Sequence, residues 1–426
     1  MKRRTAFFAG IVAVVGLIWS MGLFGSLKQF ITQTIAQIQG PIARLATVPP
    51  QTTPTSTEVG FTGDRTKPYT LALHSGEGAR ALDWRLTVNH RVTGYAYASS
   101  DVYEVDGEVV TSTDALVFTA YQPNGEKLAH ATGTWMGPRL SGTVRFGSNT
   151  STLSLTSVST TDALISFRRM DGRWTDAKRS LGCTYSLVLP TVEVGHGVSS
   201  AAATKINQVL RDAAFQAESL MLMNASKTSV RTVEQARDRY LADCRSELQQ
   251  EAATFTPGDM ASGGFERALE TSVMVPFNQN GWVSFVFDVY SYTGGAHGSN
   301  PRIALTFNTK TGDVIPLQNL MRKESQVVFG QRLASLLLRQ YAEELLDDQA
   351  SQMRVFVNAP AQQAQTLWKT GQSGISSSTT LFLVPNGMEA VFQQYEVAPY
   401  AVGLPQIFLP YAKWKDLVGE GVEMPF

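Results

Sequence analysis

The sequence of 426 residues has no excess of charge of either sign, because Lys and Arg together number 36 and Asp and Glu also number 36. Proteins that bind nucleic acid through its phosphates need a basic surface, so this balance argues against a nucleic-acid partner. The Gly-x-Ser-x-Gly, Gly-Lys phosphate-loop and His-Glu-x-x-His motifs are also missing. These absences remove the commonest hydrolase and nucleotide-binding motifs without excluding an enzyme.

Histidine is scarce, and its five positions lie far apart in the sequence. A metal-dependent deacetylase holds its ion with histidine and aspartate ligands, commonly with two histidines one helical turn apart. No two histidines here have that spacing, so we predict neither a metal site nor a cofactor. The five are His74, His90, His130, His196 and His297.

The amino terminus carries the one long apolar run, from Ala6 to Phe24, directly after Met1-Lys2-Arg3-Arg4. A membrane-spanning helix needs roughly 20 such residues, and the preceding cations favour a cytoplasmic amino terminus. A cleaved signal is the alternative, but its apolar part is typically about 7 to 15 residues long and ends in a small-x-small site that is not evident here. We therefore predict a single-pass anchor in residues 1–25, with the bulk of the chain periplasmic or extracellular.

Residues 26–66 are predicted to form a juxtamembrane helix followed by a Pro/Thr-rich linker, Pro49 to Thr57. One helical face of this segment is apolar, at steps of three and four. This face could continue the membrane helix, lie on the membrane surface, or pair with a second copy of the chain as a homo-oligomer. It comprises Leu27, Phe30, Ile31, Ile35, Ile38, Ile42 and Leu45.

The sequence contains only two cysteines, Cys183 and Cys244, and both lie in the part predicted to be exported. Oxidising conditions outside the cytoplasm let such cysteines pair. We predict one disulfide between them, with two free buried thiols as the alternative.

Two globular regions follow the linker. Residues 67–172 contain short alternating runs separated by Gly, Asn and Asp, which is typical of an all-β meander or barrel-like domain. Arg91-Val92-Thr93-Gly94-Tyr95 and Arg139-Leu140-Ser141-Gly142-Thr143 resemble one another, as expected of repeated hairpins. No nucleophile with a neighbouring base is evident there, so the domain is predicted to be a binding or spacer module.

Residues 182–426 are predicted to form an α+β domain with helices on one face of an antiparallel sheet. Val283, Phe285, Phe287 and Val289 alternate along one strand and define its buried side. The predicted elements are a strand from Tyr185 to Val194, helices from Ala201 to Met223, Val233 to Glu251 and Ser325 to Leu346, and strands from Ile303 to Phe307, Thr380 to Val384 and Ala390 to Tyr395.

The segment from Tyr290 to Asn300 places Gly294, Gly295 and Gly298 around His297. Glycine reaches positive φ without strain, so this composition predicts a tight loop with His297 at its tip. The loop is either a hairpin turn whose histidine faces solvent or a binding loop.

Three segments occur in a fixed order: Tyr292 to Gly298, Thr311-Gly312 with Leu317 after it, and Tyr395 to Gly403. They resemble landmarks of the RsiV-like extracytoplasmic family, over roughly Gly182 to Pro410. In that family the domain forms the outer part of a lysozyme-sensing anti-sigma factor, and a related module precedes the catalytic domain of some peptidoglycan deacetylases. The resemblance implies a domain that recognises a lysozyme-like protein or peptidoglycan.

Two departures limit that resemblance. Only a few residues precede the predicted membrane helix, too few to hold a sigma factor in the cytoplasm. The histidine spacing also lacks the metal ligands of a deacetylase catalytic domain.

The main hypothesis is an extracytoplasmic protein that binds a lysozyme-like protein or peptidoglycan without catalysis. The alternative is a peptidoglycan-modifying enzyme or accessory subunit that uses His297 with Asp288 and Glu396, and a third is a purely structural envelope component. Tyrosines dominate the binding energy of many interfaces, so the tyrosines near the turn are predicted to contact the partner. The alternative is that they form a packed aromatic cluster behind the turn. The predicted partner-binding residues are Tyr290, Tyr292, Gly294, Gly295, His297, Asn300, Tyr395, Glu396 and Tyr400.

Overall fold

The structure is a computed structural model that describes residues 69–75, 83–88, 91–97, 102–110, 115–121, 127–136, 139–157, 163–178, 180–221, 232–254, 265–376, 379–422 and 424–425. The predicted anchor in residues 1–25 and the segment 26–66 lie outside these ranges. Within them, no helix has both the length and the apolar character needed to cross a membrane.

Eight strands form a closed antiparallel barrel in which each strand pairs with the next and β1 pairs with β8. The prediction of a meander or barrel is therefore confirmed, and the two similar segments are β3 and β7. The strands are β1 (Tyr69–Ser75), β2 (Asp83–Val88), β3 (Arg91–Tyr97), β4 (Val102–Val110), β5 (Ala115–Tyr121), β6 (Lys127–Met136), β7 (Arg139–Phe146) and β8 (Asn149–Ser157).

Apolar side chains fill the barrel interior. Trp84 and Phe118 are fully buried and meet edge to face, with 5.3 Å between their ring centroids. Gly107 and Gly142 let neighbouring strands approach closely, because a Cβ at these positions would lie 2.1 and 1.9 Å from a carbonyl oxygen of the adjacent strand. An eight-stranded barrel is about wide enough for its own side chains, so its interior is a packed core.

A five-stranded sheet follows in the order β13-β12-β11-β10-β9. The expectation of a purely antiparallel sheet is corrected, because β10 and β11 run parallel. A parallel pair needs a long crossover, and the chain between them supplies two helices. The strands are β9 (Ile165–Asp176), β10 (Leu181–Val192), β11 (Phe265–Gln279), β12 (Trp282–Tyr292) and β13 (Arg302–Asn308).

The two crossover helices, α1 (Ser200–Met221) and α2 (Val233–Ala252), cover one face of this sheet. Thr232 caps α2 by accepting a hydrogen bond from the Gln235 amide. The predicted disulfide is present, and it joins Cys183 of β10 to Cys244 of α2. Helix and sheet are thus held by a covalent link as well as by apolar packing.

The rest of the chain forms a second layer of helices and strands. It consists of α3 (Ser325–Gln340), α4 (Asp347–Asn358), α5 (Ala361–Thr370), β14 (Thr380–Val384), β15 (Gly387–Val391) and β16 (Gln406–Pro410), with the three strands in one antiparallel sheet. One side of this sheet packs on α3–α5, and the other packs on the five-stranded sheet.

This second layer covers the face of β12 that the alternation of apolar residues did not predict to be buried. Ser284 and Val286 are fully buried along with Val283 and Phe285, so the strand is covered on both sides, as a near-continuous apolar run allows. The Ser284 hydroxyl accepts a hydrogen bond from the Leu383 amide at 3.2 Å, which joins the two sheets.

The helix predicted from Ser325 to Leu346 ends at Gln340, which is a further correction. The chain leaves helical geometry at Tyr341 (φ −122°, ψ 33°), and the buried Tyr341 hydroxyl bonds to the backbone of Gln406. A new helix, α4, then begins with Asp347 and Asp348, whose charges favour a helix amino terminus. The described part of the chain has the α+β class that the sequence predicts, with five α-helices.

Candidate partner-binding surface

The loop between β12 and β13 is closed at its base by two backbone hydrogen bonds of 2.8 Å between Ser291 and Ser299. Gly294 and Gly295 have φ values of 102° and 97°, a backbone conformation that residues other than glycine rarely adopt. The Tyr292 hydroxyl donates to the Gly295 carbonyl oxygen at 3.0 Å. The glycines and this tyrosine therefore set the path of the loop.

Gly298 allows the Tyr290 ring to lie against the returning backbone. A Cβ at Gly298 would lie 2.5 Å from Cε2 of Tyr290 and 2.8 Å from the Ser291 carbonyl oxygen. The Tyr290 side chain remains 40% exposed. Partial burial, and secondarily the neighbouring Tyr400, raise the pKa of Tyr290, so its hydroxyl stays protonated at neutral pH.

His297 is exposed at the loop tip and stacks on Tyr400 from the distant carboxyl-terminal segment. The ring centroids lie 3.7 Å apart and the planes differ by 20°. The Nδ1 atom lies 3.1 Å from the Gly298 carbonyl oxygen, and a hydrogen bond there places a proton on Nδ1. His297 is therefore fixed by one ring contact and one backbone contact.

The second loop, residues 393–403, carries the other aromatic side chains. Tyr395 has φ of 63°, a backbone conformation that costs a bulky residue free energy, yet its side chain is 46% exposed. Its ring centroid lies 6.0 Å from that of Tyr400. Tyr400 begins a short 3₁₀ turn, Tyr400–Val402, after Pro399, and Gly403 ends it with φ of 78°.

Two glutamine side chains join the loops. The Gln394 side-chain oxygen accepts from the Asn300 amide at 3.1 Å, and that of Gln393 accepts from the Arg302 amide at 3.0 Å. Glu396 in turn accepts from the Gln393 amide at 2.8 Å. Sequence reasoning missed both glutamines, since a neutral amide in a loop gives no periodic or motif signal.

The structure thus places all nine predicted partner-binding residues on these two loops or at their bases. Some support the backbone: Tyr292, Gly294, Gly295, Asn300 and Glu396. The others present rings side by side, and we call these four the aromatic surface: Tyr290, His297, Tyr395 and Tyr400.

Asp288, the suggested acidic partner of His297, has another role. Its two carboxylate oxygens accept from Nε and Nη2 of Arg302, at 2.5 and 3.1 Å. Burial raises the pKa of Asp288, and the Arg302 guanidinium opposes that rise. Among the described residues, no group of three His, Cys, Asp or Glu side chains is placed to hold a metal ion.

Comparison with known families gives two adjacent matches. Residues 196–300 match the family described as Deacetylase PdaC, and residues 331–412 match a protein family of unknown function, DUF3298. The first region contains the His297 loop, and the second contains the loop with Tyr395 and Tyr400. A search of curated proteins found no match.

Two solved structures are also similar. A DUF3298 family member from Bacteroides fragilis NCTC 9343 is 15% identical, with 62% of this chain and 96% of that chain covered and a TM-score of 0.42. A DUF3298 family protein from Pseudomonas aeruginosa PAO1 is 14% identical, with 61% and 97% covered and a TM-score of 0.36.

Proposed function

We propose that this chain is a membrane-anchored protein of the cell envelope that binds a cell-wall-related partner through the aromatic surface, without catalysis. The partner is a lysozyme-like protein or peptidoglycan. The observation that carries the proposal is the stacking of His297 on Tyr400, which joins two segments far apart in sequence into one exposed surface.

The aromatic surface has the properties of a recognition site. Tyrosine rings offer rigid area with an apolar face and a polar edge, and such residues dominate the binding energy of many interfaces. The positive φ of Tyr395 holds its ring outward at a cost in backbone strain. Strain that is kept at an exposed position indicates selection for binding more than for stability.

The imidazole of His297 has contacts that suit binding. Nδ1 lies next to a backbone carbonyl, and the ring face is occupied by Tyr400. A general base is normally oriented by a carboxylate, and the carboxylate of Asp288 is engaged by Arg302.

The family matches support an envelope setting. One region matches a family described as Deacetylase PdaC, and the sequences of the two loops resemble landmarks of the RsiV-like family. That resemblance implies recognition of lysozyme-like proteins and, for the related module, an accessory role beside a peptidoglycan deacetylase. A disulfide between Cys183 and Cys244 fits a compartment outside the cytoplasm.

Calorimetric titration of the purified full chain separates the two partners. Lysozyme and soluble peptidoglycan fragments are titrated in separate experiments, each also against Tyr400→Ala and His130→Ala. Tyr400→Ala removes the ring under His297, whereas His130 is an exposed histidine of the barrel and serves as the matched control.

Saturable binding of one partner, weakened at least tenfold by Tyr400→Ala and unchanged by His130→Ala, supports the proposal. Equal affinity of both variants would place recognition elsewhere on the chain. Absence of binding by both partners would reject the proposed partner class.

A further inference from the structure

A cavity of about 1190 Å³ lies between the barrel and the sheet face opposite α1 and α2. The barrel contributes residues of β2 to β5, the five-stranded sheet contributes residues of β10 to β13, and the end of α3 with β15 and β16 completes the wall. Binding sites for small molecules commonly have volumes of about 300 to 1,000 Å³, so this cavity has room for a small polar ligand.

Glu389 of β15 lines this cavity, although only 2% of the residue is exposed. It lies on the side of its sheet that faces β12, between Phe382 and Phe408 on the neighbouring strands. Its Oε2 atom is buried and has no hydrogen-bond partner within the part of the chain that the structure describes. A buried carboxyl oxygen without a partner is costly, and such groups are rare unless they have a role.

Arg302 is the cation whose charge acts on the pKa of Glu389. Its guanidinium, however, already forms hydrogen bonds with other carboxylates. Its guanidinium donates twice to Asp288 and once to Glu104 of the barrel, at 3.1 Å. Burial therefore dominates and raises the pKa of Glu389 to about 8, while Arg302 only partly opposes the rise. Glu389 is therefore largely protonated at neutral pH.

The charges around the cavity favour a cation. Arg91 is paired with Asp106, and Arg302 with Asp288. Among the described residues that line the cavity, none is a lysine or a histidine. The arginines are Arg91, Arg302 and Arg339. The carboxylates are Glu104, Asp106, Glu270, Asp288, Glu344 and Glu389, twice as many as the arginines.

We propose that this cavity binds a small polar molecule with a primary ammonium group, which Glu389 receives as a carboxylate at the cavity wall. An ammonium group is a compact cation with three donors, and it forms strong charge-assisted hydrogen bonds with carboxylates. Tyr103, Tyr121 and Tyr290 line the same cavity and provide rings and hydroxyl groups for the remainder of the ligand. The ammonium can come from an amino sugar or from an ethanolamine head group.

Titration of the full chain with three probes tests the chemistry. Glucosamine and ethanolamine carry the ammonium group, and N-acetylglucosamine is the neutral counterpart of glucosamine. We expect saturable binding of at least one amine, and binding of N-acetylglucosamine at least tenfold weaker than that of glucosamine. The amine that binds distinguishes the sugar source from the head-group source.

Glu389→Gln is nearly isosteric and cannot ionise, so it should weaken amine binding at least tenfold. Glu343→Gln removes the same charge from an exposed residue outside the cavity lining and should change affinity less than twofold. Circular dichroism confirms that each variant is folded. Should Glu389→Gln fail to fold, proton release by the unmodified chain still tests the role of Glu389.

Bound ammonium converts neutral Glu389 into a carboxylate, so ethanolamine binding at pH 7 should release a proton. The release appears as a binding heat that depends on the ionisation enthalpy of the buffer. The affinity for ethanolamine should also rise from pH 6 to pH 8, because Glu389 loses its proton over this range. The other charged groups that face the cavity are Arg91, Arg302, Arg339, Glu104, Asp106, Glu270, Asp288 and Glu344.

Three outcomes would overturn the proposal. One is saturable binding of both glucosamine and N-acetylglucosamine with equal affinity. Another is unchanged amine affinity in Glu389→Gln. The third is the absence of saturable binding by both amines at millimolar concentration.

Discussion

The barrel and the five-stranded sheet are both built of long strands, but they use their faces differently. Barrel strands turn one face to an interior filled by Trp84, Phe118 and other apolar side chains. Strand β12 is covered on both faces, by α1 and α2 on one side and by β14 and β15 on the other. A sheet covered on both faces can bury a charged group, and Arg302 of its edge strand β13 is only 3% exposed.

The way each region uses its strand faces determines where the cavity and the aromatic surface lie. Apolar side chains fill the barrel interior, and the polar cavity lies between the barrel and the five-stranded sheet. One loop of the aromatic surface connects β12 and β13 of the five-stranded sheet, and the other connects β15 and β16 of the three-stranded sheet. We therefore expect substitutions in the sheet to have large effects and substitutions in the barrel to have small ones.

Arg302→Ala should have the largest effect, because it leaves Asp288, whose side chain is 19% exposed, without its cation. Removal of one partner from a buried ion pair costs about 3 to 5 kcal/mol of the free energy of unfolding. Urea denaturation of the full chain measures it. Arg339→Ala, an exposed arginine of the same cavity, is the control, and an equal loss in both variants would contradict the argument.

The disulfide gives the next effect. Replacement of Cys183 and Cys244 by serine releases a loop with a sequence separation of 61 residues and should cost about 2 to 4 kcal/mol. Limited proteolysis should then cleave α2 before the barrel strands. Simultaneous loss of both regions would show that the barrel depends on the sheet.

The pH dependence of stability should be set partly by Glu389. Its pKa is raised from the model-peptide value of 4.5 to about 8 in the folded chain, so the folded state binds more protons than the unfolded state between these values. The free energy of unfolding should therefore fall as pH rises from about 5 to 8, by up to about 1.4 kcal/mol per pH unit from this group.

Glu389→Gln should remove that slope, and Glu344→Gln should retain it. Denaturant midpoints at several pH values give the comparison. If the free energy of unfolding of Glu389→Gln depends on pH as strongly as that of the unmodified chain, the pH dependence arises from another group.

The smallest effect is expected on the barrel side of the interface. Glu104→Gln removes the barrel partner of Arg302, but the Glu104 side chain is 41% exposed, and ion pairs of that kind contribute roughly 0 to 1 kcal/mol. Urea denaturation should detect little change. A loss as large as that of Arg302→Ala would mean that the barrel is an integral part of the sheet core.

Sequence periodicity predicted the local elements but could not predict how their second faces are covered. The alternation of Val283, Phe285 and Phe287 identified the strand and one buried side, since that signal is local. Burial of Ser284 and Val286 depends on β14, about a hundred residues away, and leaves no periodic trace. The parallel pairing of β10 and β11 likewise follows from how two helices cross the sheet.

The candidate site shows the same limit. Glycines and aromatic residues marked both loops, because unusual backbone geometry needs particular residue types. The contact between His297 and Tyr400 could be expected only through a family resemblance. The burial of Glu389 could not be predicted from the sequence, since a glutamate beside alternating apolar residues ordinarily faces solvent.

The central claim is that the two loops act as one binding surface. The most direct test measures the affinity of the full chain for lysozyme, or for peptidoglycan fragments if these bind, with His297→Ala, Tyr395→Ala and both together. We expect each single substitution, one on each loop, to weaken binding at least tenfold and the double variant to bind most weakly. Unchanged affinity after either single substitution would contradict it.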